Sequence, residues 1–195
     1  MTQPSIVWFR RDLRLADQAA LTAAAASGPV LCVYVLDDET PRHRAMGGAS
    51  RWWLHHSLYD LDLRLRNIGS RLILRRGKSD KVVAALLTET GATAVHALRH
   101  YEPWWRNAEQ ALERVLPNGV ALHLYDGNYL LPPGSVTTGS GSIYKIYTPF
   151  WRALAQHMPP ADALPAPKHV PPSANWPKSD RLEDWNLLPS EPNWA

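Results

Sequence analysis

A chain of 195 residues, 45% hydrophobic and 20% charged, is long enough to bury one α/β core and carry an extension. Its formal charge of +3 permits nucleic-acid contact but lacks the dense basic stripe of a domain that binds DNA alone. No apolar run approaches the roughly 20 residues a bilayer demands, no apolar leader opens the chain, and one cysteine excludes an internal disulfide framework, so a cytoplasmic protein is expected.

In chain order, the first element is the apolar run SIVWF (Ser5 to Phe9), which reads as a buried strand. Arg10, Arg11, Asp12 and Arg14 follow it directly. An alanine-rich helix comes next, with Asp17 expected at its N-cap and Gly28 past its end. The second strand is VLCVYVL (Val30 to Leu36), where Cys32 reads as a small buried hydrophobe. Leu54, Leu58, Leu61, Leu65 and Ile68 then alternate at spacings of four and three, one helical stripe stopped by Gly69. After RLILR (Arg71 to Arg75), Ser79 is expected to cap a helix that turns Val82, Val83, Leu86 and Leu87 inward and ends at Gly91. TAVHAL (Thr93 to Leu98) is the fourth strand, Pro103 opens the fourth helix, Pro117 closes it, and VALHLY (Val120 to Tyr125) is the fifth strand.

This alternation predicts an α/β fold: a doubly wound, five-stranded parallel sheet, Rossmann-like, in order 3-2-1-4-5. Its crevice opens beyond the C-terminal ends of strands 1 and 4, where the arginine cluster and RHYEPWW emerge. Residues 1–130 are assigned to this domain. Residues 131–158 read as a loop with a short helix near Phe150 to Gln156. Residues 159–195 hold nine of the 17 prolines and no apolar period, so they are expected to form an extended linker lying over a surface.

Several motifs fail on inspection. GKS at Gly77 to Ser79 would need a glycine where Leu72 stands to be a phosphate loop. Neither His55 with His56 nor His96 with His100 has zinc-ligand spacing, and no nucleophile elbow is present, so neither metal nor covalent catalysis is expected. Trp52 and Trp53 lie about 100° apart on a helix, so only one of them is expected to pack between helix and sheet.

Four stretches in this order, IVWFRRDLRLAD, MGGASRWWLHHSL, YEPW and GSIYKIYTPFWRAL, resemble the N-terminal domain of DNA photolyases and cryptochromes, most nearly bacterial class I photolyases of cyclobutane pyrimidine dimers. The resemblance implies a light-harvesting antenna domain joined to a helical domain that binds FAD and the flipped-out lesion. By matching position, it implies Arg10, Leu36, Asp37, Arg44, Met46, Tyr101 and Glu102 as antenna-binding residues. The antenna would be methenyltetrahydrofolate or an 8-hydroxy-deazaflavin. Folate-type members carry histidine where Arg44 stands and Asn-Glu at Trp104 and Trp105, while deazaflavin-type members are acidic where His100 stands. The implied partners are the FAD-binding helical domain and, through the full-length protein, DNA. A monomer that does not repair DNA by itself is expected. A stand-alone module for a small chromophore or nucleotide-like ligand, and a cryptochrome-type photoreceptor domain, are the alternatives. Arg10 and Glu102 are expected beyond the strands, so that changing either costs ligand and leaves the fold intact.

Overall fold

The computed structural model describes residues 2–40, 46–189 and 191. Five strands, β1 (Ser5–Phe9), β2 (Val30–Leu36), β3 (Leu72–Arg76), β4 (Ala94–Leu98) and β5 (Ala121–Tyr125), form one parallel sheet in the order β3-β2-β1-β4-β5. The crossovers are α1 (Ala19–Ser27), α2 (Gly48–Asn67), α3 (Ser79–Thr90) and α4 (Pro103–Glu113), and α5 (Tyr147–Ala155) follows the sheet. The expected fold class and strand order are both present.

Alternate strand residues feed two cores because successive side chains leave a strand on opposite faces. Val7, Phe9, Cys32 and Tyr34 meet the leucines of α2 on one face. Ile6, Trp8, Leu31 and Val33 meet Val83, Leu86 and Leu87 of α3 and Leu112 of α4 on the other. β1 and β2 are buried along their whole length, which is why both read as unbroken apolar runs.

Two expected caps are corrected. Asp17 has a left-handed φ of 51°, and Gln18, without a side-chain hydrogen bond, is the residue that precedes α1. Ser79 is the first residue of α3 rather than its cap. The capping acceptor comes from another element: the Asp37 carboxylate takes hydrogen bonds from Ser79 N at 2.8 Å and Ser79 Oγ at 2.7 Å. The sheet brings the end of β2 against the start of α3, and an ionised acceptor serves an orphan N–H better than a hydroxyl does. α4 ends at Glu113, one turn before Pro117.

The proline-rich tail is extended, but it is anchored in the core, which its lack of period did not suggest. Val170, Leu182, Trp185 and Leu187 are buried among the residues of β2, β3 and α2. Val170 N donates to Ile68 O and Asp180 N to Leu74 O, each at 2.8 Å, while Leu74 N donates to Ser179 Oγ at 2.9 Å. The tail thereby satisfies part of the open edge of β3. Gly69, with φ of 87°, allows the close passage, since a Cβ there would stand 2.8 Å from the His169 ring.

Candidate functional site

A cleft of about 850 Å³ opens beyond the C-terminal ends of β1 and β2 and reaches the first turns of α2 and α4. Its place follows from topology: β1 crosses over to β2 on one side and neighbours β4 on the other, so the connecting segments part there. Its size suits a drug-sized ligand.

Arg10 forms the floor. It is only 2% exposed, and both terminal nitrogens of its guanidinium hold elements together. Nη1 pairs with Glu109 Oε1 at 2.6 Å, Nη2 donates to Leu98 O, and the group lies 4.7 Å from the ring of Trp8 and 5.5 Å from that of Trp105. Arg10 therefore ties β1, β4 and α4 together, which corrects the expectation that it lies outside the core. Glu109 was not anticipated. Its position was readable, because it shares a helical stripe with Trp105, Ala108 and Leu112, and a carboxylate on an apolar stripe calls for a buried cation.

Asp12 is buried behind the floor. It accepts from Arg10 N at 3.0 Å and Gln18 Nε2 at 2.6 Å and faces His100 Nε2 at 3.3 Å. Burial by itself would raise its pKa, but the hydrogen bond and charge of His100, with Gln18 and Arg10, hold the carboxyl below its ordinary range. Arg11 and Arg14 also border the cleft. Arg11, 63% exposed, is braced by Glu102 at 2.7 Å, and Arg14 donates to Asp17 O and Gly127 O.

Of the residues expected to bind an antenna, Leu36, Asp37 and Met46 line the cleft. The Asp37 carboxylate is already occupied by Ser79, Thr40 and Glu39 N–H and O–H donors; burial opposes its ionisation, and those hydrogen bonds outweigh burial and lower its pKa. It shapes the wall and has little left to offer a ligand. Tyr101 and Glu102 are not among the lining residues. Tyr101 instead donates to Asp126 Oδ1 at 2.6 Å beyond β5, and Glu102 reaches the cleft only through Arg11. Arg44 lies outside the described residues.

Three tryptophans complete the cleft: Trp53 from α2 with Trp104 and Trp105 from α4. Trp53 is 68% exposed, and Trp52 lies half-buried against His56 with ring centroids 4.4 Å apart. Neither belongs to the core, contrary to the expectation for one of the pair, because the four leucines of α2 already fill the sheet-facing stripe. Ala49, Trp53 and Ser57 recur at spacing four, so one row of α2 faces the cleft. The indole Nε1 of Trp105 and the Nε of Arg10 are buried without an acceptor. Such donors suit a flat ligand bearing acceptor atoms.

The family model described as DNA photolyase matches residues 5–169. A deoxyribodipyrimidine photo-lyase of Agrobacterium fabrum is 41% identical over the whole chain, which spans 40% of that relative. Cryptochrome-1 of Arabidopsis thaliana is 36% identical over 85% of the chain and 25% of its own length. The crystal structure of a bacterial class III photolyase from Agrobacterium tumefaciens superposes with a TM-score of 0.92 at 41% identity, covering all of this chain and 40% of that one. The expected nearness to class I members is corrected accordingly, since this likeness is to a class III protein. Because the family match takes in every strand of the sheet and every wall of the cleft, the chain belongs to the DNA photolyase family.

Proposed function

We propose that the chain is the light-harvesting portion of a deoxyribodipyrimidine photolyase of class III type, and that its cleft holds a planar antenna chromophore such as methenyltetrahydrofolate or an 8-hydroxy-deazaflavin. The observation that carries this is the set of three tryptophans around one cleft of about 850 Å³ with Arg11 and Arg14 at its rim. Indole rings offer flat, polarisable surface for a heterocycle, and the unpartnered Trp105 Nε1 is a donor for it. The two arginines suit an anionic tail. When bound, the chromophore supplies absorption of blue light; the residues here bind it, orient it and keep water from one face.

The curated relatives are longer than this chain, which spans about 40% of the Agrobacterium photolyase. Repair of cyclobutane pyrimidine dimers, FAD binding and DNA contact are proposed for the whole protein. The face that would meet its helical domain is the exposed apolar series Ile143, Ile146, Tyr147 and Trp151 leading into α5.

Titrating the purified chain separately with each chromophore, with absorbance and tryptophan fluorescence as readouts, tests the proposal. One equivalent should bind and quench the indoles, and Trp53→Ala should weaken binding about tenfold or more with an unchanged melting curve. Binding of neither compound would overturn the antenna reading.

A further inference from the structure

At the opposite end of the sheet, the first residues of β1 and β4 and the approach to β2 border a second pocket, of about 370 Å³. Two imidazoles line it, His96 of β4 and His123 of β5. They are direct partners in the parallel register, with ring centroids 4.9 Å apart and planes inclined by 31°. His96 Nδ1 lies 2.9 Å from the Tyr125 hydroxyl. Among the described residues no other hydrogen bond reaches either ring. The pocket's remaining polar lining is Thr2, Gln3, Ser5, Ser27 and Thr93, none of them charged.

We propose that His96 and His123 form a binding site for a borderline divalent cation of the Cu2+ or Zn2+ class. Imidazole is a side chain such ions favour, and the strand register already holds two of them side by side. With a metal–nitrogen bond of about 2.1 Å, each ring centroid sits about 3.2 Å from the ion, so centroids 4.9 Å apart correspond to an angle of about 100° at the metal, within the range of four-coordinate sites.

The proton inventory also closes. With Nε2 donating its lone pair to the ion, the proton resides on Nδ1 and is donated to the Tyr125 oxygen, and no proton is lost from His96. A ligating histidine whose other nitrogen donates to an oxygen is the usual outer-shell arrangement. Water and the pocket's hydroxyls supply the remaining positions. The ion would join the edge strand β5 to β4. Sequence spacing gave no sign of the pair, because strand register alone brings the two residues together.

The test is titration of the purified chain with Cu2+ alone at pH 7.5, followed by calorimetry and electron paramagnetic resonance. One ion per chain with nitrogen couplings from two imidazoles is expected. His123 is exposed, so His123→Gln should fold normally and bind at least about tenfold more weakly. Tyr125→Phe should weaken binding about tenfold to a hundredfold without changing stoichiometry. His56→Gln, on α2, should bind like the parent. No ion in the parent, undiminished binding in His123→Gln, or loss in His56→Gln instead would each overturn the site.

Discussion

Arg10→Ala is expected to damage the fold before it affects any ligand. The substitution strands Glu109, itself 5% exposed, as an unpaired buried carboxylate, and breaking a buried ion pair from one side costs about 3–5 kcal/mol. Leu98 O also loses its side-chain donor, and Trp8 and Trp105 lose the cation between them. These losses overlap, so the total is set at about 4 kcal/mol, against a margin of roughly 5–15 kcal/mol for the folded state. At about 2–4 °C per kcal/mol for a domain of this size, the melting temperature should fall by about 8–16 °C. Urea unfolding followed by circular dichroism measures the change directly. The companion variant Arg10→Met with Glu109→Leu fills the same space without charge and should recover most of the loss, because a buried pair exchanged for apolar side chains is often neutral. A loss below about 1 kcal/mol in Arg10→Ala, or a double variant no more stable than the single one, would refute the assignment of Arg10 as a structural tie.

Other expectations follow from the same contacts. Trp185→Ala should destabilise by about 3–5 kcal/mol, because Trp185 is a buried core residue tilted against Tyr34 with centroids 6.1 Å apart; an unaltered urea midpoint would detach the tail from the core. His96 stays neutral down to about pH 4, whereas an unfolded histidine takes its proton near 6.5. Its contribution is therefore full above about pH 6.5 and shrinks as pH falls toward 4, where only the unfolded state gains the proton, by on the order of 2 kcal/mol after allowance for solvent. His96→Gln should flatten that slope, and parallel pH–stability curves would contradict the cause. Asp12 acts in a lower window: its depressed pKa adds stability above the ordinary carboxylate value of 3.8, lost as pH falls through the still lower folded value. Asp12→Asn should remove that acid-limb loss, read from urea midpoints between pH 5 and 2.

The α/β architecture was legible because its signals are local. SIVWF and VLCVYVL could be read as buried strands from apolar continuity, the α2 leucines from their spacing, and Gly91 as the left-handed stop it proves to be, with φ of 66°. Strand order gave the C-terminal end of the sheet, but the cleft expected beyond β1 and β4 opens beyond β1 and β2, and only the α4 tryptophans that follow β4 reach it. Of the anticipated binding residues, Leu36, Asp37 and Met46 do line it, whereas Tyr101 turns toward Asp126. Sequence could place a residue at a strand tip but not aim its side chain, since that direction is decided by partners far along the chain.

The amino-acid order alone thus determined the strands, the helices, their parallel order and the end of the sheet where a ligand would sit, because hydrophobic period and turn chemistry act over a few residues. Only the tertiary structure decided that Arg10 is tied inward by Glu109, that Asp37 serves α3, that Trp185 closes the core and that His96 stands beside His123. A buried charge, an orphan N–H or an open strand edge must find a partner wherever the chain brings one. Which partner that is depends on three-dimensional proximity, for which sequence separation carries no signal.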